Sequence, residues 1–299
     1  MPAVGSVEAG IGLALLGAVM ANLAALLKHR GCQQVPHVRI QAPLESARRL
    51  AGSPWFAAGW GLAAVAWLIH VAALSMAPIS LVQAALAAGA VSLAVLSQKL
   101  FGHRVEPRQW LALLLGGSGL ALLALTLPSI HGSHSEFAPA TILAFEGGLA
   151  LLALGLTLGL RRQRLTARHG ALLALIAGTL FAFAGVAIKA LTGEGGLSPV
   201  SLAPWLAAIV VCGALAQYTA VAALQRGGAI ETIGLMGLVA SAAQILSGVI
   251  VFGDPLASGS VGLGLQVTAF ALVCVSALLL PPSQAGTPQP ARQLIGRIA

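Results

Sequence analysis

Eight acidic residues serve a chain of 299, and one of them, Glu146, stands in the apolar run FEGGLALLALG. If that run crosses a bilayer, the carboxylate lies about two turns inside it, roughly 12 Å along at 1.5 Å per residue. A charge at mid-bilayer costs ~2.5–3.5 kcal/mol on insertion scales, so it needs a partner, a water-filled cavity or a route to the interface. Glu146 therefore reads either as a proton or cation site or as a glutamate paired with a neighbouring helix. Glu231 follows Arg226 at the start of another apolar run, where a helix dipole and a nearby cation favour a carboxylate. Asp254, in FGDP, reads as a solvated turn residue. Lys28 and Lys189 close two further runs and can snorkel to the interface, although Lys189 could instead turn inward to hold an anionic group. Asn22, His70, Gln83, Gln217, Tyr218, Gln244 and Gln266 complete the polar inventory of the runs. Each can simply bond between helices, at ~0.6–2 kcal/mol, or several can line one pathway. His70 adds a ring that ordinarily titrates near neutral pH, and Tyr218 beside Gln217 offers a ring and a hydroxyl to an organic ligand.

The elements that must position these groups follow from composition. With 58% hydrophobic and 8% charged residues the chain excludes a water-soluble fold, in which about a quarter of residues are charged. A hydrocarbon core about 30 Å thick needs roughly 20 apolar residues per helical crossing. Nine candidate helices result, near 7–28, 54–76, 78–100, 109–128, 138–160, 170–192, 203–225, 228–252 and 258–281. The interval 32–52 holds Pro36, Pro43, three arginines and a glutamate, so it is a loop with a short surface helix around 43–50. The first run is long enough to span and lacks a basic stretch and a cleavage-like boundary, so it reads as a helix that stays. Cys32, Cys212 and Cys274 show no CxxC spacing and suggest neither a disulfide framework nor a zinc site. The net charge of +8 does not point to nucleic acid, because the basic residues sit between the apolar runs. Lysines and arginines alternate with the connections, leaving Lys189 alone on one side. The positive-inside rule then places the N-terminus outside and the C-terminus in the cytoplasm, which an odd helix count satisfies.

Self-similarity divides the chain. Ala72-Ala73-Leu74, a turn and Ile79 match Ala222-Ala223-Leu224, a turn and Ile230; Leu96-Ser97 with Phe101-Gly102 match Leu246-Ser247 with Phe252-Gly253. Gly17 precedes Lys28 by the interval that separates Gly178 from Lys189. The expected fold is an all-α polytopic membrane protein of nine transmembrane helices, with inverted four-helix repeats (helices 1–4, residues 7–128, and helices 6–9, residues 170–281) flanking helix 5 at 138–160. Residues 1–281 form one transmembrane domain, and 282–299 form a polar cytoplasmic tail. Inverted repeats suit two nearly equivalent packings, one open to each side.

The run 72–125, beginning AALSMAPISLVQAALAAGAVSLAVLSQKLFG, and its echo 222–273, beginning AALQRGGAIETIGLMGLVASAAQILSGVIVFG, resemble the drug/metabolite transporter superfamily. The resemblance covers nearly the whole chain and is closest to the nine-helix NIPA-like branch; ten-helix EamA-type members carry one helix more, at the start of the first half. It implies a secondary transporter that moves a small solute or metabolite across the cytoplasmic (inner) membrane by alternating access, and neither an enzyme nor a cofactor. EamA-type relatives move metabolites and NIPA-type relatives are associated with magnesium, so a magnesium or divalent-cation pathway is the alternative.

Magnesium favours oxygen ligands and keeps water, which Glu146 and Glu231 could guide. An organic solute needs an apolar cleft with a few aimed polar groups, which Trp67, His70, Gln83, Gln217 and Tyr218 could supply. The expected pathway residues are thus Glu146, His70, Asn22, Gln83, Gln217, Tyr218, Gln244, Glu231 and Lys189. A remote third reading is an intramembrane serine hydrolase built on Ser118 in GGSG, which lacks a nearby base in the sequence. His131 and His134 on a loop read as solvated rather than as metal ligands. Gly116/Gly119, Gly155/Gly159 and Gly234/Gly237 put flat faces at helical spacing, for close packing or for a homodimer contact.

Overall fold

The computed structural model describes residues 4–39, 42–102, 105–126, 137–162, 169–193, 199–254 and 259–279. Every regular element among them is an α-helix: α1 (Val4–Cys32), α2 (Pro43–Ala51), α3 (Pro54–Met76), α4 (Ile79–Ala88), α5 (Ala90–Phe101), α6 (Pro107–Thr126), α7 (Pro139–Arg162), α8 (His169–Gly193), α9 (Pro199–Leu224), α10 (Ala229–Ile250) and α11 (Ser260–Leu279). Six of these, α1, α3, α7, α8, α9 and α10, are long and apolar enough to cross a membrane. The protein is an all-helical polytopic membrane protein. The expected loop histidines His131 and His134, Arg164, Arg168 and the tail from 282 lie outside the described residues.

Local chemistry sets the helix ends. Pro54 opens α3, where its missing N–H is no loss, and the Ser53 hydroxyl accepts from the Phe56 amide. Gly102, at φ 65°, closes α5 in the left-handed conformation that glycine adopts without a Cβ penalty. Helix α2 is the surface helix read from the sequence, with Pro43 in its first turn, Glu45 ion-paired to Arg49, and Leu50 buried.

One expected helix is broken. The run 78–100 folds as α4 and α5, interrupted at Gly89 alone, where φ −65° and ψ −9° stay in the right-handed helical region and the amide still donates to the Ala85 and Leu86 carbonyls. Here α1 approaches so closely that a Cβ on Gly89 would collide with the Ala18 side chain. The Gly89 carbonyl accepts from Asn22 Nδ2 at 3.0 Å and from the Ser92 hydroxyl at 2.6 Å. Irregular backbone at membrane depth is tolerated only where protein supplies such partners.

Helix α1 packs along α3 and along the α4–α5 pair, as α8 packs along α9 and α10, and α6 lies against α11. Glycines make these contacts close. A Cβ on Gly178 would meet the Met236 carbonyl at 2.8 Å, and one on Gly119 would meet the Ala269 carbonyl at 2.8 Å. Gly116 and Gly119 are therefore packing residues of the α6–α11 contact, whereas Gly155 and Gly159 on α7 face open space. Two apolar clusters close the ends of the bundle. One joins Leu26, Leu93, Leu113, Leu224 and Ile230 at the α2 end. The other joins Leu74, Ile79, Val186 and Phe252 at the opposite end.

Candidate functional site

Between the two apolar clusters lies a cavity of about 310 Å³, walled by α1, α3, the α4–α5 pair, α6, α8 and α10, with Ser276 of α11. Its lining is mainly small and aliphatic, and its polar groups are Asn22, His70, Gln83, Ser241, Gln244 and Ser276. Gln83 of α4 donates through Nε2 to Gln244 Oε1 of α10 at 2.8 Å, and the Ser241 hydroxyl donates to Gln83 Oε1 at 3.3 Å. Gln83, Ser241 and Gln244 are all buried. Gln244 keeps its place because Gly185 of α8 has no side chain, since a Cβ there would overlap the Gln244 amide. Asn22 bonds Ser92 as well as Gly89, so its amide is spent on the helix break while its side chain borders the cavity. His70 differs: its Nδ1 is enclosed by protein atoms and has no hydrogen-bond partner.

Four of the nine expected pathway residues, Asn22, His70, Gln83 and Gln244, thus meet in one cavity. The other five do not line it. Glu146 on α7 is buried against the α8–α9 side, with the Cys212 thiol of α9 within electrostatic reach and Oε1 unpartnered. Glu146 lies outside the cavity, on α7, which packs on α8. Glu231 does occupy the first turn of α10, but its side-chain partner is Gln109 of α6, with Glu106 close by, at the α2 end. Gln217 accepts from the Lys28 ammonium at 3.5 Å, and Tyr218 packs at the border of the apolar cluster near α2.

Lys189 follows the second of its two expected readings and turns inward. It does not snorkel: the side chain is fully buried and its ammonium donates to the carbonyls of Leu74, at 3.0 Å, and Ala77, at 3.3 Å. These are carbonyls of the last turn and C-cap of α3, where the helix leaves acceptors unsatisfied and a cation is favoured. Asp254, expected in solvent, is 2% exposed and close enough to Lys189 to interact with it electrostatically. The short loop after α10 folds back, with the Asp254 amide donating to the Gly248 carbonyl at 2.8 Å, and this carries the carboxylate inward.

Sequence reasoning missed Ser241, Ser276 and Phe181 as cavity residues; no signal marked Phe181 or Ser276, and Ser241 was legible only as a polar group one turn from Gln244. Ser118 faces outward on α6 and donates to the Leu115 carbonyl of its own helix. Among the described residues no cluster of three or more His, Cys, Asp or Glu could hold a metal ion. No protein-family model, curated protein or solved structure matches this chain.

Proposed function

We propose that the chain is a transporter of a small organic solute, of the drug/metabolite superfamily type, working by alternating access about the central cavity. The observation that carries this reading is the cavity itself, an apolar chamber between the two bundle halves into which amides, hydroxyls and an imidazole project. A ligand pocket is built this way, with apolar walls for binding energy and few polar groups for orientation. The helix-pairing pattern supports the inverted repeat of nine crossings, since α1, α3 and α4–α5 contact one another as α8, α9 and α10 do, and the broken α4–α5 counts as one crossing. In this reading the N-terminus is outside the cytoplasmic membrane and the C-terminus inside.

The cation alternative is weaker on chemistry. A hydrated magnesium ion is guided by carboxylate oxygens. Glu146 and Glu231 lie on different elements outside the cavity, and the polar groups lining the chamber carry no negative charge. The serine-hydrolase reading has Ser118 on an outer face with its hydroxyl committed to its own helix.

Flux into proteoliposomes tests the assignment. Saturable uptake of an uncharged or zwitterionic organic solute is expected, lost in Gln244→Leu and retained in Glu146→Gln, with both variants monodisperse in detergent. Saturable magnesium uptake that Glu146→Gln abolishes and Gln244→Leu leaves intact would replace this reading with the cation one.

A further inference from the structure

Helices α3 and α9 both pack on α8, yet they are not packed against each other along their lengths, and a groove of about 390 Å³ runs between them. Trp60 and Trp67 stand on one wall, Gly213 and Gln217 on the other, and Gly185 of α8 forms the floor. The two tryptophans are 47% and 48% exposed, so the groove opens outward from the bundle. Both walls belong to helices that are long and apolar enough to cross a membrane, so hydrocarbon stands opposite that opening. Toward the α2 end the groove continues into a second hollow of about 480 Å³ under the apolar side of α2, with Trp60 and Gln217 common to both. Inward it meets the central cavity, with His70, Phe181 and Gln244 common to both. The polar side chains at that junction are His70 and Gln244.

We propose that this groove is a lateral binding site for an uncharged amphiphile taken from the bilayer, its acyl chain lying between α3 and α9 and its hydrogen-bonding head reaching His70 and Gln244. The inference rests on the transport reading and names the substrate class of the same cavity. Three features select the ligand. The groove is apolar over the length that faces hydrocarbon, which suits a chain and not a soluble metabolite. Its inner end presents an imidazole and an amide, which can donate to or accept from hydroxyl and ester oxygens. No charged side chain lines either the groove or the central cavity, and the nearest cation, Lys28, meets Gln217 at the α2 end, so an ionised head at His70 and Gln244 would be left without a counter-charge.

The test uses the full chain in phosphatidylcholine vesicles and two photoactivatable monoacylglycerols, one with a diazirine near the chain end and one with it beside the glycerol. The chain-end probe is expected to label α3 and α9 between 60–70 and 209–217, and the head probe α10 around Gln244, both displaced by plain monoacylglycerol. Gly213 lines the groove and has open space where a Cβ would go, so Gly213→Trp puts its ring into the groove. It should reduce groove labelling to the level on lipid-facing α7, whereas Gly155→Trp, likewise facing open space, should not. Labelling spread evenly over the exposed helices, or undiminished in Gly213→Trp, overturns the site. Specific groove labelling by a protein that moves no solute keeps the amphiphile site and removes the transport reading. Saturable flux of a water-soluble solute, unchanged by Gly213→Trp and without groove labelling, does the reverse.

Discussion

Lys28 and Lys189 stand at the same interval after Gly17 and Gly178, and the structure uses them differently. Lys189 is fully buried, caps the end of α3 and faces Asp254; Lys28 is half-buried and reaches a single glutamine at 3.5 Å. The carbonyls at the end of α9 that correspond to those bound by Lys189 have other partners, Leu224 accepting from Gln33 Nε2 at 3.0 Å and Gly227 lying 3.3 Å from His29 Nε2. Gln225 adds an exchange with the loop after α1, accepting from the Val38 amide and donating to the Pro36 carbonyl. One end of the bundle is thus fastened by a fully buried lysine, and the other by neutral groups distributed over a loop together with half-buried Arg226, which donates to the Ala222 carbonyl at 3.1 Å. A buried charge is strong only while all its partners are in place, whereas a set of neutral bonds can be lost one at a time.

The most damaging way to break this contrast is Lys189→Met, which strands Asp254 and the α3 carbonyls. A loss of about 3–5 kcal/mol is expected, read as a lowered unfolding midpoint in detergent, and Lys189→Met with Asp254→Asn should recover part of it. No change in the single variant would mean that this end is held by its apolar cluster alone. Next, Gln83→Leu leaves Ser241 and Gln244 short of partners in the cavity and should cost ~1–3 kcal/mol, with a matching loss of solute binding by calorimetry. Lys28→Met should cost only ~0.5–1.5 kcal/mol, the range of one ordinary hydrogen bond; a drop as large as that of Lys189→Met would show the two ends to be equivalent after all. The smallest effect belongs to Gly155→Ala on the open face of α7, a gain of up to ~1 kcal/mol from helix propensity. A shift from dimer to monomer on light scattering of that variant would instead identify the face as a homodimer contact.

The fold was legible where composition and punctuation speak. Long apolar runs, with Pro54 opening one of them and Gly102 following Phe101, placed the helices to within a few residues. Gly89 was not legible as a break, because an isolated glycine in an apolar run is ordinary; the approach of α1 and the amide of Asn22 there are tertiary contacts. The candidate site was legible as a set of residue types and not as a place. Glu146 attracted the functional reading because it is charged, while the shared cavity collects neutral groups.

By itself the sequence determined that this is a membrane-embedded helical protein, where its apolar helices lie, and which few polar side chains they carry, because the cost of leaving backbone and charge in hydrocarbon acts on each segment separately. Only the tertiary structure decided which face of each helix looks inward. In a bilayer the surroundings of a helix are as apolar as its neighbours, so no hydrophobic periodicity marks the buried side. The choice between cavity, groove and seal for His70, Gln217 and Lys189 was made by how closely small residues let the helices approach.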